Sequence, residues 1–197
     1  PRLCMQFSER LATGQIDFAK FVSIDGKAPV GIVPEGRQLC LDGLAHGRRY
    51  KIQVRSGLPS AVDETLLKST DLTVYMRDRA PSVRATGRAY VLPRTGQQGL
   101  PLVSVNADVL GIEVYRIGDR GLAQQLQDGE FQRRLNSADI GEIKERTGAK
   151  VYSGELAVTR KLNEDVTTAF PVSEAIVKLE PGAYVLAANV LPRKGDD

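Results

Sequence analysis

Tryptophan is absent from the 197 residues, and histidine occurs once, at position 46. Cysteine and methionine occur twice each, and aromatic residues make up 6% of the chain. One histidine and two cysteines cannot supply four zinc ligands at any standard spacing, and no spacing of carboxylates replaces them. Neither G-x-S-x-G nor G-x-x-x-x-G-K-[ST] occurs. The glycine-rich piece "RTGQQGLP" (94–101) does not open a helix after a strand, so it makes no phosphate cradle. No apolar run approaches the ~18 residues that a membrane-spanning helix needs. The 27 Lys and Arg interleave with 24 Asp and Glu, giving a net charge of +3 without any basic run. A phosphate-tracking stripe is therefore missing, and nucleic acid is not an expected partner. No nucleophile–base pair, metal set or cofactor motif survives this search, so the chain is read as a non-enzyme without a cofactor.

A Cys–His dyad built on His46 with Cys4 or Cys40 would be the one exception. A cysteine nucleophile needs its thiolate beside a base, in a partly desolvated cleft. His46 lies instead on the polar turn "DGLAHGRR" between two strand-like stretches. The simpler reading is a β-arch: Leu44 drops into the core, Gly43 and Gly47 supply backbone angles closed to other residues, and Tyr50 restarts the strand. The pattern of Leu, glycine-containing turn and Tyr-x-Ile-x-Val resembles the tyrosine corner of Ig-like sandwiches, whose phenol bonds back to nearby backbone. His46 is accordingly expected to be an exposed turn residue.

What the chain does contain is alternation. Leu3, Met5 and Phe7 share one face of "LCMQF", and Leu39 and Leu41 share one face of "QLCLDGL". In "YKIQV" Tyr50, Ile52 and Val54 oppose Lys51, Gln53 and Arg55; in "LTVYMR" Leu72, Val74 and Met76 oppose Thr73, Tyr75 and Arg77. Period two is the mark of half-buried strands. The connecting pieces "DGKAP", "PEGR", "DGLAHG" and "SGLPS" are turn-rich, which predicts an antiparallel β-sandwich. "RDRAPS" (77–82) reads as a linker. Strands are expected again in "SVRATGRAYVLP", "DVLGIEVYRIGD", "KVYSGELAVTR", "VTTAFPVS", "EAIVKL" and "GAYVLAANV". Residues 119–147 change to helical spacing, with Leu122 and Leu126, Phe131 and Leu135, and Ile140 and Ile143 as pairs. Ser137 is the expected N-cap of a short helix there and Gly148 its stop. The fold class is mainly β: two tandem antiparallel sandwiches, the second with a helical insert.

Cys4 shares its strand face with Gln6, and Cys40 shares its face with Gln38 and Asp42, so both thiols leave the apolar side. Two free thiols on exposed strand faces would be a liability, and a cross-strand disulfide removes it. Closing that loop stabilises by about 3–4 kcal/mol in the chain-entropy model and implies an oxidising compartment. Two reduced cysteines in a cytosolic protein are the alternative.

The ordered pieces "LCMQFSERL", "LCLDGLAHGRRYKIQVRSGLPS", "LTVYMRDRAPSVRATGRAYVLPR", "GLPLVSVNADVLGIEVYRIGDRGL" and "FPVSEAIVKLEPGAYVLAA" together resemble the N-terminal region of bacterial α2-macroglobulin family proteins. The most specific part is "GRAYVLPR" followed by "VNADVLGIEVYRIGDR". The resemblance implies an Ig-like sandwich over residues 1–78 and a macroglobulin-like sandwich over 79–197, with the insert at about 119–147. It also implies a parent of many such sandwiches, periplasmic and held to the inner membrane by an upstream lipid anchor, that traps proteases after cleavage of a bait region. The partners implied are proteases, through the full-length protein, and neighbouring domains of the same chain, with no direct membrane contact from this segment. Many members carry a Cys–Gln thioester in C-x-E-Q; neither Cys4 in "CMQF" nor Cys40 in "CLDG" fits it, so no reactive residue carries over. The opening "PRLCMQFSER" lacks a Met and an apolar leader and reads as the start of an excised piece. The charged tail after "GAYVLAANV" reads as a sandwich one strand short, with the strand led by Tyr184, Leu186 and Ala188 at the open sheet edge or beside it. A surface adhesion or carbohydrate-binding sandwich is the competing class, and such a module usually displays an aromatic platform.

If the linker reading is right, limited proteolysis will cut first at residues 77–82, or within the glycine-containing 119–148 stretch. Early cutting inside 48–56 would contradict it.

Overall fold

A computed structural model describes residues 1–92, 99–118 and 135–192. The helical pairs expected at 122, 126 and 131 lie outside the described residues. The chain divides into two compact units, Pro1–Arg79 and Ala80–Asp197.

The first unit pairs two three-stranded antiparallel sheets. One has the order β1-β4-β3, with β1 Leu3–Gln6, β3 Gly31–Glu35 and β4 Gln38–Asp42. The other has the order β2-β5-β6, with β2 Val22–Ile24, β5 Arg48–Val54 and β6 Thr70–Met76. Leu39 and Leu41 of β4 face Tyr50, Ile52 and Val54 of β5 in one cluster, closed by Leu11, Phe18, Leu44 and Leu58. Strand alternation puts these residues on the inner faces, and their removal from water supplies most of the driving force.

β2 and β3 were not expected from the alternation. β2 is only three residues long, and Pro34 interrupts β3. Proline is tolerated there because β3 pairs only with β4, so the missing N–H takes nothing from the ladder.

The "GLAHG" turn folds as the tyrosine pattern implies. The Ala45 N–H donates to the Tyr50 phenol oxygen at 2.7 Å. Gly43 and Gly47 have φ of 80° and 70°, in the left-handed region that glycine enters without cost. Leu44 is buried between them.

The second unit repeats the plan. One sheet has the order β11-β8-β7, from β7 Ser82–Ala85, β8 Gly99–Val105 and β11 Val166–Pro171. The other has the order β10-β9-β12, from β9 Val109–Ile117, β10 Gly148–Ala157 and β12 Ala183–Val190. Leu102 and Phe170 of the first sheet pack in one core with Leu110, Ile112 and Val114 of the second. β8 escaped the alternation test because Leu102 to Val105 are buried on both faces, the polar Ser104 included, so no exposed residue marks an outer side. Its Pro101 pairs with Ala169 of β11 but lies beyond the end of β7, where no donor is required.

β9 too is buried on both sides: Tyr115 and Ile117, on the face away from the core, are each 2% exposed. In β10 the register slips by one residue between Lys150 and Tyr152. Lys150 stays opposite Tyr115, Tyr152 stands opposite Val114, and Val151 is the extra residue of a β-bulge.

Asn106, after β8, and Asn163, before β11, both take positive φ and bond reciprocally. The Asn163 N–H donates to Asn106 Oδ1 at 2.7 Å, and Asn106 Nδ2 donates to Asn163 Oδ1 at 3.2 Å. Asparagine tolerates this conformation better than most non-glycine residues.

Four expectations need correction. Strand β7 ends at Ala85 and does not run through "GRAYVLP", because the chain turns: the Tyr90 phenol accepts from the Gly87 N–H and bonds Thr86 Oγ1. "EAIVKL" is not a strand. Its start belongs to the short helix Val172–Ala175, Ile176 enters the core, and Val177 is 97% exposed. The helix Ser137–Glu142, α1, is capped by Asn136 and not by Ser137. The Asn136 side chain accepts from the Ala138 and Asp139 N–H groups, and Asp139 reaches back to the Asn136 N–H in a capping box. Finally, the Cys40 face is not open to water, because β4 is a central strand and Cys40 is fully buried.

Tyr50→Phe leaves the Ala45 N–H without its partner in a partly buried turn. It should lower stability by about 1–2 kcal/mol, read as a fall in urea midpoint at constant slope. An unchanged midpoint would show that the phenol bond carries no stability.

Candidate functional site

Among the described residues, three polar places are candidates for a site. The first is the His46 turn. His46 Nδ1 lies 2.7 Å from the Arg77 carbonyl oxygen, so the ring N–H donates and ties the turn to the chain just past β6. The ring is half-buried rather than open to solvent. Cys40, the nearer cysteine in sequence, is sealed in a disulfide, so no Cys–His dyad forms.

The second is the outer face of β1-β4-β3. Cys4 and Cys40 stand directly opposite in the ladder, with Cα atoms 4.0 Å apart, and their sulfurs are bonded. The Phe7 N–H donates to the Arg37 carbonyl, which makes that pair a hydrogen-bonded one. Counting back three pairs puts Cys4 and Cys40 at a narrow, non-hydrogen-bonded pair, where side chains approach most closely. Val33 of β3 is the partner of Cys40 on its other side. Arg2 crosses this face, meeting Glu35 at 2.7 Å and Asp42 at 3.6 Å. The hydrogen bond to Glu35 raises the Arg2 pKa above its ordinary value. The sequence placed both sulfurs off the core face, but burial of Cys40 depends on β3, which the alternation did not show.

The third lies on the outer face of β9. Past α1, a π-helical turn, Ile143–Thr147, lays the buried Ile143 over the sheet. The Gly148 N–H returns to the Ile143 carbonyl, and Gly148 is already extended as the first residue of β10. It stops the helix through close approach, not through a left-handed cap: a Cβ there would lie 2.8 Å from Ile143 Cγ2 and 3.1 Å from Tyr115 Cβ.

This docking brings Lys144 Nζ to 2.5 Å from Glu113 Oε2, while Lys150 Nζ reaches Oε1 at 2.7 Å. Both ammonium groups stand 5.7–5.8 Å from the centre of the Tyr115 ring, within cation–π range. The hydrogen bond from Lys144, then that from Lys150, holds the Glu113 carboxyl down to about 2. The two lysines are raised above their ordinary value by the same contacts. The sequence pattern singled out none of these residues; the lysines arrive through the π-turn and the bulge.

These groups clamp a helical segment to a sheet. Among the described residues, no group of three or more His, Cys, Asp or Glu side chains could hold a metal ion. The hollow along α1, lined by Ala138, Gly141, Glu142 and Glu145, is open and carries only carboxylates.

Because the Glu113 carboxyl titrates lower in the folded chain than in the unfolded one, its contribution is present above about pH 4.5 and is lost as pH falls toward 2. Glu113→Gln should therefore cost about 1 kcal/mol at pH 7, after allowance for solvent screening. It should also flatten the fall in stability between those limits, as measured by urea unfolding at stepped pH. Equal stability of both proteins at pH 7 would count against the clamp.

Comparison with known proteins adds to this geometry. Residues 85–196 match the family model described as the bacterial alpha-2 macroglobulin MG2 domain. The chain is 26% identical over 197 residues to an alpha-2-macroglobulin of Xylella fastidiosa (strain 9a5c), covering 92% of this chain and 12% of that protein. It is 20% identical over 153 residues to the alpha-2-macroglobulin of Escherichia coli (strain K12), covering 78% of this chain and 9% of that one. Among solved structures, Salmonella alpha-2-macroglobulin reacted with methylamine superposes with a TM-score of 0.70 at 23% identity, over 95% of this chain and 12% of the other. A mutant of the Salmonella protein gives 0.69 at 22% identity, over 96% and 12%. The chain thus spans 9–12% of the length of these relatives, and the structural likeness speaks for the fold. Since the family model takes in more than half of its residues, the chain belongs to the bacterial alpha-2-macroglobulin family.

Proposed function

We propose that this chain is a non-catalytic scaffold segment of a broad-spectrum protease trap. The observation that carries the proposal is the MG2 match over 85–196, which lies within the second sandwich and includes most of it. The polar clusters support the same reading. His46 secures a turn, the cysteines cross-link two strands and Glu113 holds a helical segment, so each is occupied in holding structure. None of them presents a nucleophile beside a free base. The partners are then proteases, engaged by the full-length protein, and neighbouring domains of its own chain.

The first sandwich is proposed to be Ig-like, on the strength of its tyrosine corner. The compartment is proposed to be the periplasm, with the parent held to the inner membrane by a lipid upstream. A disulfide across β1 and β4 suits an oxidising compartment.

Incubated with trypsin-like or elastase-like proteases, this chain alone should leave their activity on a large protein substrate unchanged. The full-length parent should reduce activity on the large substrate while sparing a small peptide substrate. Stoichiometric protection by the segment alone, or no protection by the parent, would overturn the proposal.

A further inference from the structure

The two sulfurs of the Cys4–Cys40 bridge are not equivalent. β1 pairs only with β4, so Cys4 sits on an edge strand and is exposed, whereas Cys40 sits on the central strand and is 0% exposed. Thiol–disulfide exchange is a displacement in which the incoming thiolate approaches along the S–S axis, opposite the sulfur that leaves. The bridge joins β1 to β4, and β3 flanks β4 on its other side. An approach to Cys4 comes from beyond β1, where the described residues place no further strand. An approach to Cys40 comes from the side of β3, where Val33 is its ladder partner on the same face, and Cys40 is fully buried.

We propose that Cys4 is a thiol-exchange site, entered by a small thiol from the open edge of β1. The thiolate attacks Cys4 Sγ and forms a new S–S bond to it. The Cys4–Cys40 bond breaks, and its electron pair leaves on Cys40 as a thiolate that takes a proton from solvent. A second thiolate then attacks the sulfur of the first, and the bond between that sulfur and Cys4 breaks with its electron pair on Cys4, which takes a proton; two thiols are thereby oxidised to one disulfide and both cysteines end reduced. β1 has four residues, and its inward side chains Leu3 and Met5 are only half-buried. Opening the bridge therefore removes the covalent hold on a short edge strand.

The probe is 2-mercaptoethanol, a small thiol that carries no charge besides that of its attacking thiolate. The oxidised protein is exposed briefly without denaturant, freed thiols are capped with N-ethylmaleimide, and adducts are located by tandem mass spectrometry. The mercaptoethanol adduct is expected on Cys4 and the maleimide on Cys40, in excess of about tenfold over the reverse. The rate should be linear in thiol and insensitive to urea below the unfolding transition. In Val33→Ala the approach to Cys40 is opened, and the share of adduct on Cys40 should rise. Adducts equally divided or mainly on Cys40 would overturn the proposal, as would a rate that climbs with urea in step with unfolding, or no reaction without urea. An unchanged adduct ratio in Val33→Ala would do so too, because Val33 would then not be what shields Cys40.

Discussion

A three-stranded sheet has one strand with both backbone edges satisfied and two with only one. All four sheets among the described residues are of that kind. The central strands β4, β5, β8 and β9 therefore carry the cores: Leu39, Leu41, Ile52, Leu102, Leu110 and Ile112 are all at 0–1% exposure. Every outer strand is held by one ladder and by whatever its side chains add. The additions differ. β1 has a disulfide, β3 ends in Pro34 and Glu35, and β10 carries a bulge and the charged Lys150 and Glu155. Charges, prolines and bulges on outer strands also discourage pairing with other chains.

The central strands were legible where polar and apolar residue types alternate along them. β4 and β5 alternate cleanly, and the tyrosine pattern at Tyr50 foretold both the positive φ of Gly43 and Gly47 and the bond to Ala45. β8 was not legible, because a strand covered on both faces has no period. β9 was legible but irregular, because Tyr115 and Ile117 are buried on what would otherwise be its polar side. "EAIVKL" misled for the opposite reason: Ile176 and Val177 are adjacent β-branched residues, and only one of them finds the core. The polar clusters were the least legible. Glu113, Lys144 and Lys150 are brought together by a π-turn and a one-residue slip, and neither leaves a periodic trace. The cysteine pairing could be read from strand faces, whereas the burial of Cys40 could not, since it depends on a short strand broken by proline.

For a segment of a large multidomain family, the placement of these features is coherent. Covalent, ionic and amide contacts join elements distant in sequence, as Cys4 joins Cys40, Glu113 joins Lys144 and Asn106 joins Asn163. Each closes a loop across a small sandwich whose hydrophobic core is limited by its size. The chemistry of these contacts is that of holding shape.

The bulge in β10 has a bearing on how the chain length can vary. Val151 stands opposite no residue of β9, while Lys150 and Tyr152 on either side of it are opposite Tyr115 and Val114. Elsewhere in the ladder, loss of one residue would turn every following side chain to the wrong face. At Val151 the same loss leaves each neighbour with the partner it already has, so β10 can shed a residue there with its inside and outside unchanged.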